Sequence, residues 1–247
     1  AKMQADLHVY RLDDELILDF EPGLLEAVTE RLESHIVADQ VELIDASPHF
    51  GLLSLQGPKT ADALASLGLA LPGEAFAHVK SPLDDLGEVY VMNNGRYGVA
   101  GCDLYISTGH LGEAAERLAK AVEGQGGRLA GWQATEIGRV EAGIPRFGID
   151  MGNNTLPPEA GLDIRAISYT KGCYIGQEII ARIRTYGRVN RTLVGYRPDA
   201  DLAPGTQLTD DSGKTVGTLT SVIDSPRFGP IALGLAKRGS SGRVGRW

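Results

Sequence analysis

The chain has 247 residues, 43% of them hydrophobic and 23% charged, and carries a formal net charge of −8. That is enough apolar material for a packed core in one to three domains. The acidic balance argues against bulk nucleic-acid binding, and no apolar run approaches the roughly 20 residues of a membrane span. No basic-then-apolar leader opens the sequence, and two cysteines, Cys102 and Cys173, make no disulfide framework. Free thiols fit a reducing compartment, the cytoplasm or, in a eukaryote, the mitochondrial matrix.

Strand patterns at Leu7–Arg11 and Glu15–Phe20 flank Leu12-Asp13-Asp14 and predict a hairpin. Pro22-Gly23 opens a helix with apolar positions at Leu24, Leu25, Val28, Leu32 and Ile36. Strands follow at Val41–Ile44 and Leu52–Gln56, and Gly57-Pro58 begins a helix through Leu64 and Leu67. The pattern restarts at Glu88–Asn93 and Val99–Ser107, around Asn94-Gly95, a strong hairpin signal. A helix over Leu111–Val122 is stopped by Gly124, Gly126 and Gly127, and Thr135 can cap a helix running to Gly143. Gln177–Arg184 reads as a short helix. After Arg191, short strands (Thr192–Arg197, Thr215–Thr220, Ile231–Leu235) between Pro, Gly and Asp turns suggest a small β-barrel. The expectation is an α+β chain of two small α+β units, 1–85 and 86–185, followed by a barrel over 186–247.

The most informative stretch is Lys171-Gly172-Cys173-Tyr174-Ile175-Gly176-Gln177-Glu178. From Lys171 to Arg197 there are six cations (Lys171, Arg182, Arg184, Arg188, Arg191, Arg197) and one acid, Glu178. Cations and a helix N-terminus stabilise a thiolate, and glycine allows close backbone approach or positive φ. On residues alone, two readings stand evenly: an anion site with a reactive thiol, or a small buried cysteine in a turn beside solvated arginines. Cys102 lies in a strand pattern and reads as a buried small hydrophobe. Five histidines are scattered singly, without zinc or iron–sulfur ligand spacing, so no metal site is expected.

Lys-Gly-Cys-Tyr-x-Gly-Gln-Glu followed by Arg182 resembles the signature of the YgfZ/GcvT family, folate-binding proteins similar to the glycine-cleavage T-protein. Arg139-Val140-Glu141-Ala142-Gly143-Ile144-Pro145 resembles that family's R-x-E-x-G-x-P segment, and Leu156–Leu162 the run before the signature. Gly217–Ser221, Ser225-Pro226 and Ile231–Gly234 resemble its C-terminal domain. The resemblance implies a T-protein-like multidomain fold and a tetrahydrofolate ligand, or a one-carbon derivative of it. It also implies iron–sulfur client or assembly proteins as partners, and a link to tRNA modification. Family members carry a further segment ahead of the point where this chain opens.

By the same resemblance Cys173 is the essential thiol and Lys171 its cationic neighbour. Arg139 meets the anionic end of folate, with Glu141, Asp6, Gly172, Gly176 and Arg182 completing the ligand site. Read as residues alone, a surface ion pair is the favoured role for Arg139, and the resemblance turns the reading toward the ligand. T-proteins carry two adjacent acids where this chain has Ala5-Asp6, and a Gly-Glu-Asp-Gly run where it has Gly98-Val99-Ala100-Gly101. Two losses of carboxylate argue against an active aminomethyltransferase. The expected function is a folate-binding auxiliary protein for iron–sulfur assembly or repair. The alternatives are an aminomethyltransferase of the glycine-cleavage type and a non-catalytic interaction module.

Overall fold

A computed structural model describes residues 3–198 and 202–239. Ten strands and five helices run in the order β1 (Leu7–Arg11), β2 (Leu16–Phe20), α1 (Leu25–Glu33), β3 (Phe50–Gln56), α2 (Thr60–Ala65), β4 (His78–Pro82), β5 (Glu88–Asn93), β6 (Gly101–Ser107), α3 (Leu111–Gly124), α4 (Trp132–Glu141), α5 (Gln177–Tyr186), β7 (Arg191–Tyr196), β8 (Gln207–Thr209), β9 (Thr215–Ser225) and β10 (Gly229–Lys237). They divide into two compact units, one of residues 8–19 and 25–135, the other of 1–7, 20–24 and 136–247.

In the unit containing residues 25–135, β3, β6, β5 and β4 form an antiparallel sheet in that order. Alternation does the sorting. Leu53, Leu104 and Val91 stand in register across three strands. With Leu55, Cys102, Ile106 and Val89 they pack on Ala63 and Leu64 of α2 and Ala114 and Leu118 of α3. Gly51 is glycine for a packing reason, since a Cβ there would lie 2.4 Å from the Leu111 side chain. The opposite face carries Ser54, Asp103, Tyr105 and Tyr90.

Three sequence expectations give way here. Val41–Ile44 forms no strand, and Val41 and Ile44 are exposed. β-branched residues favour a strand only where neighbours pack them, and this segment has no strand beside it. Asn94-Gly95 does not make a two-residue turn either. Residues 94–100 form a longer loop, in which the Asn94 side chain is buried and a Cβ on Gly95 would sit 2.2 Å from the Val99 carbonyl oxygen. Glycine is required there by close approach rather than by positive φ. Thr135 lies inside α4, its hydroxyl bonded back to the Trp132 carbonyl at 2.7 Å, rather than capping it.

In the other unit, β7, β10, β9 and β8 form an antiparallel sheet with β7 and β8 at its ends. Val140 of α4 packs with Ile231 and Leu233 on one face, and Tyr196, Leu219, Ala232 and Ala236 cluster on the other. Gly217 and Gly234 face each other's strands so closely that a Cβ on either would lie 2.7 Å from a backbone oxygen opposite. The expected boundary at residue 85 falls between β4 and β5, which pair directly, so the first two predicted domains share one sheet. The boundary at 185 falls within the last turn of α5.

Leu104 is fully buried at the centre of its sheet. Leu104→Ala is expected to cost about 2–5 kcal/mol in urea unfolding. Leu129→Ala, at a residue 78% exposed, is expected to stay within about 0.5 kcal/mol of the parent.

Candidate functional site

Arg139 lies on the last turn of α4 and is only 6% exposed. A buried guanidinium is tolerated only if its donors are matched, and here all five N–H groups are. Nε and one Nη2 hydrogen go to Glu136 Oε2 (2.9 and 2.7 Å), and the other Nη2 hydrogen goes to Ser221 Oγ (2.8 Å). Nη1 donates to Asp150 Oδ2 (2.7 Å) and to the Ile144 carbonyl (3.3 Å). Asp150, also buried, accepts in turn from the Thr220 and Ser221 hydroxyls and the Arg146 backbone N–H. Arg146 extends the chain to Glu136 (3.1 Å) and, through two bonds, to Glu21 (2.9 and 2.8 Å).

The network runs Glu21, Arg146, Glu136, Arg139, Asp150, Ser221. It ties α4 to the loop after it and to β9. The fork expected to clasp a ligand carboxylate is therefore filled by the protein's own acids, and Arg139 acts as a scaffold residue. Glu141, two positions on, accepts from Ser225 Oγ, which also receives the Arg227 and Phe228 backbone N–H groups. Its carboxylate thus helps set the β9–β10 turn.

Burial raises the Glu136 pKa, but the hydrogen bonds and charges of Arg139 and Arg146 outweigh it and hold the carboxyl below its ordinary 4.5. A depressed carboxyl stabilises the fold above its unfolded pKa, and that stability is lost as pH falls through the folded value. Glu136→Gln is expected to cost about 1–3 kcal/mol at pH 7. In urea titrations the gap between Glu136→Gln and the parent should shrink steadily below about pH 4.5.

The cysteine motif lies in the same unit, as do all eight residues the sequence singles out. Asp6 is half-buried, in the stretch entered from Met3, which packs on Met151, Ala160 and Leu162. Cys173 is exposed, not buried in its turn. Gly176, at φ +88, is the cap from which α5 starts, and the Tyr174 N–H closes the turn on Gln177 Oε1 at 3.0 Å. Gly172, by contrast, is surrounded by open space and has no steric need to be glycine. Lys171 is exposed with its ammonium 5.2 Å over the Tyr174 ring, and Arg184 stacks on Tyr169 at 4.2 Å.

Arg191 is paired with Glu159. Among the described residues, however, no ion pair neutralises Lys171, Arg182, Arg184 or Arg188. The stretch thus carries unneutralised cations and an exposed thiol, interleaved with exposed Ile175, Ile179 and Tyr186. Cys102 is its opposite: buried, with burial first and Asp103 second pushing its thiol up to about 12. Iodoacetamide at pH 8, with mass mapping, is expected to modify Cys173 at least about a hundredfold faster than Cys102.

Sequence reasoning missed a second polar cluster, in the unit containing residues 25–135. Asp103, fully buried on β6, accepts from Ser54 Oγ (2.8 Å), Asn94 Nδ2 (2.7 Å) and Arg96 Nε (2.9 Å), and Arg96 also reaches Asp19 (2.8 Å). The Tyr105 hydroxyl is buried and meets no hydrogen-bond partner among the described residues. The signal was present in Cys102-Asp103-Leu104-Tyr105, where period-two alternation puts Asp103 and Tyr105 opposite the apolar face. The cluster fixes the start of the loop that ends in Gly98-Val99-Ala100, whose three residues are exposed, with Gly98 at φ +69. Among the described residues no three His, Cys, Asp or Glu side chains group so as to hold a metal ion, and no helix is long and apolar enough to cross a membrane.

The profile of the GCVT N-terminal domain family matches residues 1–171. The chain belongs to this family. It is 32% identical over 206 residues to an aminomethyltransferase of a Nostoc species, covering 81% of this chain and 53% of that protein. It is 30% identical over 234 residues to a chloroplastic protein of Arabidopsis thaliana that bears a provisional transferase name, covering 94% of this chain and 53% of the other. The GCVT fold extends past the profile match. The crystal structure of the glycine cleavage system aminomethyltransferase T from Bartonella henselae superposes with a TM-score of 0.81 at 25% identity, over 96% of this chain and 65% of that one. The chain thus spans about half the length of the curated relatives it matches.

Proposed function

We propose that this GCVT-family chain is a folate-binding auxiliary protein rather than a turnover aminomethyltransferase. It holds tetrahydrofolate or a one-carbon derivative and supports iron–sulfur assembly or repair, and through it tRNA modification, in the cytoplasm or mitochondrial matrix. The observation that carries the reading is the exposed thiol of Cys173 on a stretch of unneutralised cations, in a chain whose loop 98–101 offers Val99 and Ala100 in place of acids.

The residues present suit such a ligand in a particular way. A folate ends in a glutamate with two carboxylates, and Arg139 has no donor left for them. Lys171 and Arg182, exposed and without an ion-pair partner among the described residues, are the cations to receive them. The resemblance assigns Asp6 and Glu141 to the pterin end of the ligand; Glu141 already accepts from Ser225 Oγ, so its part there is to hold the β9–β10 turn. When bound, a reduced folate supplies the one-carbon unit. The protein's share is to orient it and to present an exposed thiol on the same cationic stretch. A barrel over 186–247, of which 199–201 and 240–247 lie outside the described residues, belongs to the same reading.

The names of the Nostoc and Bartonella relatives favour a second reading, an active aminomethyltransferase. Without the two acids it lacks proton-transfer help usually worth about 10²–10⁴-fold in rate. Calorimetry with tetrahydrofolate separates the possibilities. Binding is expected at about −4 to −8 kcal/mol, weakened about fivefold by Lys171→Ala, with no product in a glycine-cleavage assay supplied with the partner proteins. Methylenetetrahydrofolate formation would establish the second reading. An absence of heat and of thermal shift at saturating folate would leave a non-catalytic interaction module.

A further inference from the structure

The two edges of the β3–β6–β5–β4 sheet are finished differently. β4 reads His-Val-Lys-Ser-Pro, and lysine and proline are the residues by which an edge refuses another strand. β3 reads Phe-Gly-Leu-Leu-Ser-Leu-Gln, seven residues with neither charge nor proline. Backbone parity shows which of its groups point outward. The Phe50 N–H turns away from β6 to the Ala46 carbonyl (3.1 Å), while the Gly57 N–H turns toward the β6 side, to the Ala100 carbonyl (2.7 Å). Leu52 and Ser54 share the parity of Phe50, so their N–H and C=O groups lie along the open side. Among the described residues these groups meet no backbone partner there. Phe50 and Leu52 are also 39% and 40% exposed.

We propose that the occupant of this edge is a second copy of the chain, which adds its own β3 antiparallel about a two-fold axis. Three observations favour a copy over a foreign peptide. The strand is self-complementary, because outward groups at Leu52 of one copy meet those at Ser54 of the other, and the reverse. It is also a neutral edge in a chain of net charge −8, where two like-charged molecules can approach. Antiparallel order further sets Lys59, just past the strand, beside the Asp45–His49 turn of the partner copy. The hydrogen bonds from Ser47 hold the Asp45 carboxyl below the usual range, so it is anionic at neutral pH, and Lys59's present partner Asp62 is itself exposed. An isologous contact uses this unlike-sign pair twice. So short an edge makes a small interface, and the association is correspondingly weak and transient.

Sedimentation velocity on the full chain tests it. The weight-average mass is expected to climb from 26.3 kDa toward twice that as concentration rises from about 1 to about 500 µM. Leu52→Lys, which sets cations against each other across the axis, should hold the mass at 26.3 kDa throughout, with circular dichroism unchanged. Leu129→Lys, at an exposed residue off the strand, should associate like the parent. Amide hydrogen exchange on the unmodified chain gives an independent reading, since Leu52 and Ser54 should slow as concentration rises. A constant monomer mass, association that Leu52→Lys leaves intact, or an edge that captures an extended foreign peptide while the chain stays monomeric would overturn the proposal.

Discussion

Burying a guanidinium is tolerable only when every donor finds an acceptor, and much of the unit containing residues 136–198 is arranged around meeting that condition for Arg139. Its partners come from places far apart in sequence: Glu136 one turn back on α4, the Ile144 carbonyl and Asp150 in the loop beyond, Ser221 on β9. A helix, an irregular loop and a sheet are thereby held in one mutual geometry that apolar packing alone would leave free to slide. The loop from 142 to 156 has almost no regular structure, yet it is pinned at both ends of this network. The cysteine motif follows from it after a short run of turns.

The other unit solves the same problem with the charges reversed. There the buried group is a carboxylate, Asp103, whose donors are Ser54 on β3 and Asn94 and Arg96 of the 94–100 loop, and Arg96 donates as well to the Asp19 carboxylate on β2. The Asp103 network sits on the sheet face away from the apolar cluster, whereas Ser221 of the Arg139 network shares its sheet face with Ile223 and Leu233. Each network fixes a loop rather than a core. Position is decided by hydrogen bonds where the chain is irregular, and by packing where it is regular.

This division explains what could be read from the amino-acid sequence. The strands β1, β2, β5 and β6, the helices α3 and α5 and the strand-rich end of the chain announce themselves by period and by glycine caps, because local chemistry and final environment agree. Val41–Ile44 misleads because strand propensity describes a packed surface that this segment does not have. Asn94-Gly95 misleads because the same dipeptide serves a buried side-chain hydrogen bond and a close backbone contact. The excess of cations around Cys173 follows from the composition of the stretch, whereas the exposure of its thiol does not, because the same residues fit a buried turn. Arg139 is legible as important but not in its role. A fork that meets a ligand and a fork that meets Asp150 are the same residue in the same helix, and only the eleven-residue return of the chain to Asp150 distinguishes them.

The uncompensated cations between Lys171 and Arg188 have a kinetic consequence. A molecule of net charge −8 repels small anions over most of its surface, at a range set by a screening length of about 8 Å under physiological salt. At one stretch the sign is reversed. An anion diffusing nearby is drawn toward such a stretch, so its arrival is oriented before any specific contact forms. Such guidance fades as ionic strength rises, whereas the buried networks around Arg139 and Asp103 are screened far less. The same salt that blurs the encounter therefore leaves the scaffold beneath it intact.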